Sequence, residues 1–338
     1  MKDTSYIWGE IMKSKILATM LALTCLIGSI SVTSAAKSGN ETKLVPDQRL
    51  VVSTAIYGNL VTWYETSANA PHIYDQSTGK ELDIPPTDSV CSNMEIYGSK
   101  VVWQNMGDGI SLYDTSTEEL TQIANEAYNP DIHRNNIVYE KIMWLQEEPY
   151  TLCGIYLYDL TTKKETQITD YIHADFKTAI YGNKIVWVRS DEPSIIYIYD
   201  IPSKKMITAN VSDAVSGLDI SGNTIVWESK SNEISNIYIS DISTQKITQI
   251  TTSGSAIEPA IYGNRIVYLS KNDVYMYEKS TGKTTRITNC SCAYAPSIYK
   301  DKILYADSHE AGEMNWELGS IYLYDLSAKN NNQTGKSQ

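Results

Sequence analysis

Phenylalanine is nearly absent from this chain: Phe176 is the single copy in 338 residues, beside 25 Tyr and 7 Trp. The aromatic content therefore lies in rings with a polar edge, which suit strands buried at one end and wet at the other. Basic residues are also scarce, 28 Lys plus Arg against 40 Asp plus Glu, for a formal net charge of -12. A nucleic-acid footprint needs clustered Lys and Arg, so that partner is excluded, and an anionic membrane surface is disfavoured for the same reason. No window carries a 3.6-residue apolar period, which excludes a helical repeat. Gly-x-Ser-x-Gly, His-Glu-x-x-His and a phosphate loop are all missing, so hydrolase, zinc-protease and nucleotide chemistries have no familiar foothold. Only one long apolar run exists, Ile16 to Val32.

That run reads as an address. Lys13 and Lys15 precede it and Ser34-Ala35-Ala36 follows it, the layout of a secretory signal peptide over residues 1–36, with Met12 as a second candidate start. The run is short for a membrane span of ~20 residues, and the tail at 330–338 is polar, so the mature chain is expected to be secreted or held at the cell surface without a span. Of five cysteines Cys25 leaves with the leader, and Cys91, Cys153, Cys290 and Cys292 remain. An even number in an exported chain can pair as disulfides, and four cysteines allow three pairings. Asn40, Asn210, Asn289 and Asn332 each begin a glycosylation tripeptide.

Internal repetition is the main signal. Ile56-Tyr57-Gly58-Asn59 recurs as Ile96-Tyr97-Gly98-Ser99, Ile180-Tyr181-Gly182-Asn183 and Ile261-Tyr262-Gly263-Asn264, with degenerate copies at Ile132, Ile220 and Ile298. The seven anchors are spaced by 40, 36, 48, 40, 41 and 37 residues. An apolar strand follows each, as Ile185-Val186-Trp187, then an alternating strand ending in an acid, as Tyr197-Ile198-Tyr199-Asp200, then a fourth, as Thr166-Gln167-Ile168-Thr169. Gly-Asn supplies the two-residue hairpin turn between the first two strands. Four short strands per ~40–45 residues is the period of a propeller blade.

The ends interlock. Unit seven stops at Asp325 without a fourth strand, and Glu41-Thr42-Lys43-Leu44-Val45 precedes unit one, matching Glu165 to Thr169 in kind and placement. The chain is expected to be all-β: a single seven-bladed β-propeller over residues 37–329, of four-stranded antiparallel blades, closed by strand 41–45 in the last blade.

The unit built on Ile-Tyr-Gly-Asn-x-Ile-Val-Trp, Ile-Tyr-x-Tyr-Asp and Thr-x-Gln-Ile-Thr resembles the TolB-type β-propeller repeat, in the version found in surface and secreted proteins of methanogenic archaea. The resemblance covers roughly residues 41–326 and implies a propeller; for function it implies a binding module, a scaffold or occasionally an enzyme.

Most repeated residues read as structural. Trp63, Trp103, Trp187 and Trp227 fall at one blade position and are expected to pack between blades. The acids ending the third strands are expected to cap their turns. His133 stands in for an anchor tyrosine and reads as a turn residue. Departures from the repeat carry more information. Two insertions, 140–154 and 306–319, fall on the same face, are acidic, and each holds a Trp that the repeat does not require. Trp144, Glu147 and Glu148 in the first, and Trp316, Glu313 and Glu317 in the second, form a candidate ligand site, because aromatic rings among carboxylates on a rigid scaffold suit sugar or peptide recognition. All four mature cysteines are expected on that face.

The reading is an exported, non-enzymatic binding or cell-surface interaction module, a monomer, with an extracellular polysaccharide, peptide or envelope protein as partner and no cofactor. The alternatives are a metal-assisted polysaccharide lyase, with His173, Asp175, His309 and Glu310 around a divalent metal, or a purely structural envelope protein.

Overall fold

Each Ile-Tyr-Gly-Asn anchor ends the innermost strand of a blade. In blade one the strands are Val51–Tyr57, Leu60–Glu65, Ala70–Asp75 and Lys80–Leu82, paired antiparallel in chain order. Blades two to six repeat this order, with inner strands Cys91–Tyr97, Ala127–His133, Thr178–Tyr181, Ala214–Ser221 and Ala256–Tyr262; blade seven begins with Ala293–Tyr299. The structure, a computed structural model, describes residues 33–34, 40–49, 51–66, 68–85, 90–144, 151–173, 177–189, 194–211, 213–308 and 319–331. Second strands such as Leu60–Glu65 and Lys184–Arg189 are buried along their length, because a blade stacks on either side of them. Outer strands such as Lys164–Gln167 are exposed throughout, which is why they hold charge.

The N-terminal strand closes the ring. Glu41–Arg49 pairs antiparallel with Gly319–Asp325, the third strand of blade seven, in the register Glu41–Tyr324, Thr42–Leu323, Lys43–Tyr322 and Val45–Ile321. Each inner strand packs against the next, and that of blade seven against that of blade one. Val45 joins Trp63 of blade one and Leu304 and Ile321 of blade seven in one buried cluster, so closure is apolar as well as hydrogen-bonded.

The repeated residues do the work expected of repeat chemistry. Trp63, Trp103, Trp187 and Trp227 are at most 1% exposed, and each sits in a cluster shared with the preceding blade. The acids after the third strands accept from the turn that follows: Asp75 from Ser77 N, Asp114 from Ser116 N, Asp200 from Ser203 N and Asp241 from Thr244 N. Those bonds hold all four carboxyls below their ordinary pKa; at Asp114 they do so against burial.

Three local features differ from the sequence reading. Much of the blade-three insertion is a hairpin extension: Asn136–Trp144 pairs with Thr151–Asp159 out to Trp144–Thr151, and Glu140 is buried at 3% exposure. His133 is the last residue of an inner strand and takes the tyrosine's place in a ring of aromatic contacts. Thr33–Ser34, within the expected leader, pairs parallel with Thr285 and Arg286 at the outer edge of blade six.

Candidate functional site: the central channel

The inner strands do not run straight. In blades one, two, three, five, six and seven the register slips two to four residues before the anchor, between Val52 and Ala55, Ser92 and Glu95, Tyr128 and Asp131, Ser216 and Asp219, Ile257 and Ala260, and Tyr294 and Ser297. The extra residue sits at positive φ: Ser53, Asn93, Asn129, Gly217, Glu258 and Ala295. Such bulges re-aim side chains, and the channel wall takes the residue before every anchor and, in all blades but the seventh, the residue three before it. At Gly217 no side chain fits, since a Cβ would meet Pro259 Cδ of the next blade at 2.7 Å.

The result is a cavity of ≈ 320 Å³ on the propeller axis. Its wall is lopsided. Blades two to six contribute Glu95, Asp131, Lys177, Asp219 and Glu258, whereas blades seven and one contribute Ser53, Thr54, Ala55 and Ser297. On the neutral side Thr54 Oγ1 donates to Ala295 O at 2.6 Å, across the junction of the first and last blades. On the polar side Asn93 Nδ2 donates to Asn129 Oδ1 at 2.7 Å, and Asn129 Nδ2 to Glu140 Oε2 at 3.0 Å.

Two of the acids are structural staples. Asp131 Oδ1 accepts from Ile132 N at 2.6 Å, and its Oδ2 from Ile180 N of the next blade at 2.7 Å. Asp219 repeats the arrangement with Ile220 N at 2.6 Å and Ile261 N at 2.8 Å. Two residues on, His133 Nδ1 accepts from Gly182 N at 3.0 Å and Ser221 Oγ from Gly263 N at 2.9 Å. Asp-Ile-His and Asp-Ile-Ser are thus two-point clasps between blades three and four and blades five and six.

Burial pushes Asp131 up to about 6 despite its two N–H donors, and pushes Asp219, with the charge of Asp131 adding to the effect, up to about 7. Glu95 is driven well above the carboxylate range by burial and by the charges of Asp131 and Asp219, with Lys177 opposing. Glu258 is raised by burial against the pull of Lys177. Burial and mutual repulsion thus oppose ionisation of these acids beside one lysine, and an incoming positive charge would favour their ionised forms.

Below the acids the anchor tyrosines and His133 pack ring against ring, at a tilt, around the axis. Ring centroids lie 4.8 Å apart for Tyr262–Tyr299, 4.4 Å for Tyr299–Tyr57, 4.7 Å for Tyr57–Tyr97, 4.6 Å for Tyr97–His133 and 4.5 Å for His133–Tyr181. Ser221 fills the remaining place. Burial and the neighbouring hydroxyls of Tyr97 and Tyr299 push the Tyr57 phenol up. None of these aromatics lines the cavity.

Of the residues singled out from sequence, Glu147, Glu148, Glu313, Trp316, Glu317, Asp175, His309 and Glu310 lie outside the described residues, as do the side chains of Trp144 and His173. The backbone of Trp144 ends the extended hairpin opposite Thr151, and that of His173 pairs with Leu152 in an added edge strand. Cys290 and Cys292 form a disulfide with each other, in the connection from blade six to blade seven. Cys91 and Cys153 are thiols at 1% and 4% exposure in two separate cores between blades, and Cys91 Sγ donates to Asn105 Oδ1 at 3.4 Å. The channel acids were missed, although the sequence carries their signal. In a chain that repeats itself elsewhere, the residue before the anchor isoleucine runs Ala, Glu, Asp, Ala, Asp, Ala, Ser around the ring.

No family model and no curated relative matches this sequence. Solved structures do match in fold. Oligogalacturonate lyase in complex with manganese superposes with a TM-score of 0.63 at 12% identity, over 88% of this chain and 96% of that one. The β-propeller domain of the Trilobed protease from Pyrococcus furiosus, described as having an open velcro topology, gives 0.62 at 12% identity over 87% and 99%. Pyrococcus horikoshii acylaminoacyl peptidase gives 0.63 at 13% identity over 82% of this chain and 51% of that one, so this chain spans about half its length. At such identities the likeness is one of fold: this chain is a seven-bladed β-propeller.

Proposed function

We propose that the protein is an exported, non-enzymatic binding module of the cell surface, of the TolB-like archaeal type its repeat resembles. Its ligand approaches from the face that bears the two insertions and places a positive group in the channel mouth. The observation that carries this reading is the convergence of Glu95, Asp131, Asp219 and Glu258 with one lysine, Lys177, on the wall of a single axial cavity. Asp131 and Asp219 also clasp neighbouring blades, but Glu95 makes no such clasp among the described residues, and other blades put Ala or Ser at its position. A primary ammonium set among hydroxyl or amide groups is the matching chemistry, whether it comes from an amino-sugar polysaccharide or from a basic peptide of an envelope protein. Trp144 and Trp316, with Glu147, Glu148, Glu313 and Glu317, would extend the contact on the rim.

Calorimetric titration with glucosamine oligomers, their N-acetylated counterparts and a lysine-bearing peptide tests this. The cationic probes should bind and the acetylated ones should not. Glu95→Gln and Glu258→Gln should each weaken binding about tenfold or more while the fold is retained, and added salt should weaken it further. Trp144→Ala or Trp316→Ala should cost ~1–2 kcal/mol of binding if the rings stack on ligand. Binding that is indifferent to both glutamate substitutions would remove the channel from the site.

One observation favours the lyase alternative: the added strand Ile172–His173 fastens the His173 backbone opposite Leu152, near the outer end of the blade-three hairpin. That reading expects turnover of an acidic polysaccharide that a chelator and His309→Ala both abolish, with Asp175 and Glu310 as further ligands.

A further inference from the structure

The connection from blade six to blade seven carries Cys290 and Cys292 with one residue between them and Cα atoms 5.1 Å apart. Its backbone is held by a group other than the disulfide. Asp273, only 2% exposed, accepts on Oδ1 from Cys290 N at 3.0 Å, Ser291 N at 3.2 Å and Thr288 Oγ1 at 2.9 Å, while Arg286 pairs with its Oδ2 at 2.5 Å. Ser291 takes the left-handed conformation at φ 55. The far side is fixed as well: Ser308 N donates to Cys292 O at 3.1 Å, and Cys292 Sγ lies 2.9 Å from Asp307 Oδ1. Breaking the S–S bond would therefore leave the Cys-Ser-Cys turn in place, with both sulfurs beside a carboxylate.

The two sulfurs and a carboxylate oxygen of Asp307 all lie within 4.8 Å of one another. Two thiolates and a carboxylate suit a borderline cation of the Zn2+ kind, and three protein ligands leave a fourth position open to water. Zn–S bonds of ~2.3 Å in a tetrahedron put the sulfurs ~3.8 Å apart, a separation within reach of side-chain rotation on a fixed backbone.

We propose that Cys290, Cys292 and Asp307 form a redox-gated metal site. Oxidised, the pair is a disulfide and holds no metal. Reduced, it binds one borderline divalent cation, and the two states exclude each other. Opening the site takes two electrons and two protons per disulfide, supplied by a dithiol or, on the bench, by a phosphine. With the phosphine, water gives its oxygen to phosphorus and its two hydrogens to the sulfurs, yielding two thiols and a phosphine oxide. The metal then displaces the two thiol protons.

The test uses the full mature chain, reduced with a phosphine, desalted without oxygen and titrated with Co2+. A thiolate-to-cobalt charge-transfer band should saturate at one equivalent per chain with about two protons released, and Zn2+ should abolish it by displacement. The oxidised chain should show no band. Cys292→Ser and Cys290→Ser should each remove it, Asp307→Asn should weaken Co2+ binding about tenfold or more, and a Cys91→Ser, Cys153→Ser double variant should keep it. A circular-dichroism melt checks that each variant is folded. A reduced chain with no thiolate band, a band that survives both Cys290→Ser and Cys292→Ser, or one metal per two chains would overturn the proposal.

Discussion

The Tyr305 hydroxyl of blade seven donates a hydrogen bond to Glu41, 264 residues earlier in the chain. Blade three makes the same contact internally, Tyr139 to Glu165 Oε2 at 2.5 Å, and both tyrosines are fully buried. The N-terminal strand thus gives blade seven the carboxylate that a fourth strand gives its own blade. Deleting residues 41–49 should strip the edge of Gly319–Asp325 and uncover the apolar cluster around Val45. We expect a loss of several kcal/mol, with self-association visible on gel filtration. Tyr305→Phe should cost ~1–2 kcal/mol in chemical denaturation, as should Tyr139→Phe. Unchanged unfolding of the deletion would contradict closure by this strand.

Closure was legible in the sequence because it reuses repeat chemistry: Glu41 to Val45 copies Glu165 to Thr169. The anchors, the inter-blade tryptophans and the turn-capping acids were legible for the same reason, each recurring in one environment in several blades. The channel was not legible, because its residues are those at which the blades disagree. Nothing in Glu95 or Asp219 alone shows that a bulge turns it to the axis. His133 looked like a turn residue because it stands in for an anchor tyrosine, yet it ends a strand and its imidazole serves as a clasp for Gly182 N. The blade-three insertion had no repeat to be measured against, so the buried Glu140 could not be told from a solvated loop acid.

Arg134 offers a test of turn chemistry. It occupies the first turn position at φ 59, where Gly58, Gly98, Gly182, Gly222 and Gly263 stand in other blades at φ 63, 65, 61, 63 and 58. A left-handed L-residue costs ~1–2 kcal/mol, and the greater freedom of glycine in the unfolded chain returns ~0.4–1 of that. Arg134→Gly should therefore stabilise the protein by ~0.5–1 kcal/mol in denaturant titration. A destabilised variant would mean that the Arg134 side chain contributes more than its backbone strain costs.

Export makes a prediction that meets the fold at one place. Cleavage after Ala35 or Ala36 leaves the closing strand Glu41–Arg49 in the mature chain but removes Thr33–Ser34, whose partners are Thr285 and Arg286. Mass spectrometry of protein recovered outside the cell should place the N-terminus at Ala36 or Lys37. A chain truncated to that point should melt within about 2 °C of one that keeps Thr33 and Ser34. An N-terminus beyond Glu41, or an intact leader, would defeat the assignment.

Stability should fall as the pH rises through neutrality. Asp131 and Asp219 start from 3.8 in the unfolded chain and are raised to about 6 and about 7 in the folded one, so folding takes up protons between those values. A raised carboxyl contributes stability that is complete below pH ~4 and is lost as the pH climbs past its folded pKa. Glu95 and Glu258 shift in the same direction, and Lys177 opposes both shifts. His133 works against them lower down: burial, with Arg134 adjacent, lowers it from 6.5 to about 4, so its contribution is present above pH 6.5 and disappears as the pH drops towards 4. The turn aspartates, lowered from 3.8, lose their contribution only below that value. Between pH 6.5 and 8 the channel carboxyls are therefore the groups left to titrate, and the melting temperature should decline across that window. Asp219→Asn should flatten the decline while lowering stability at every pH, because its amide meets Ile220 N or Ile261 N with a donor where the carboxylate had an acceptor. Asp131→Asn should act more weakly in this window, its pKa lying a unit lower. A melting temperature that rises from pH 6.5 to 8, or a decline unchanged in Asp219→Asn, would show that these carboxyls are ionised throughout and that the clasps are ordinary ion–dipole contacts.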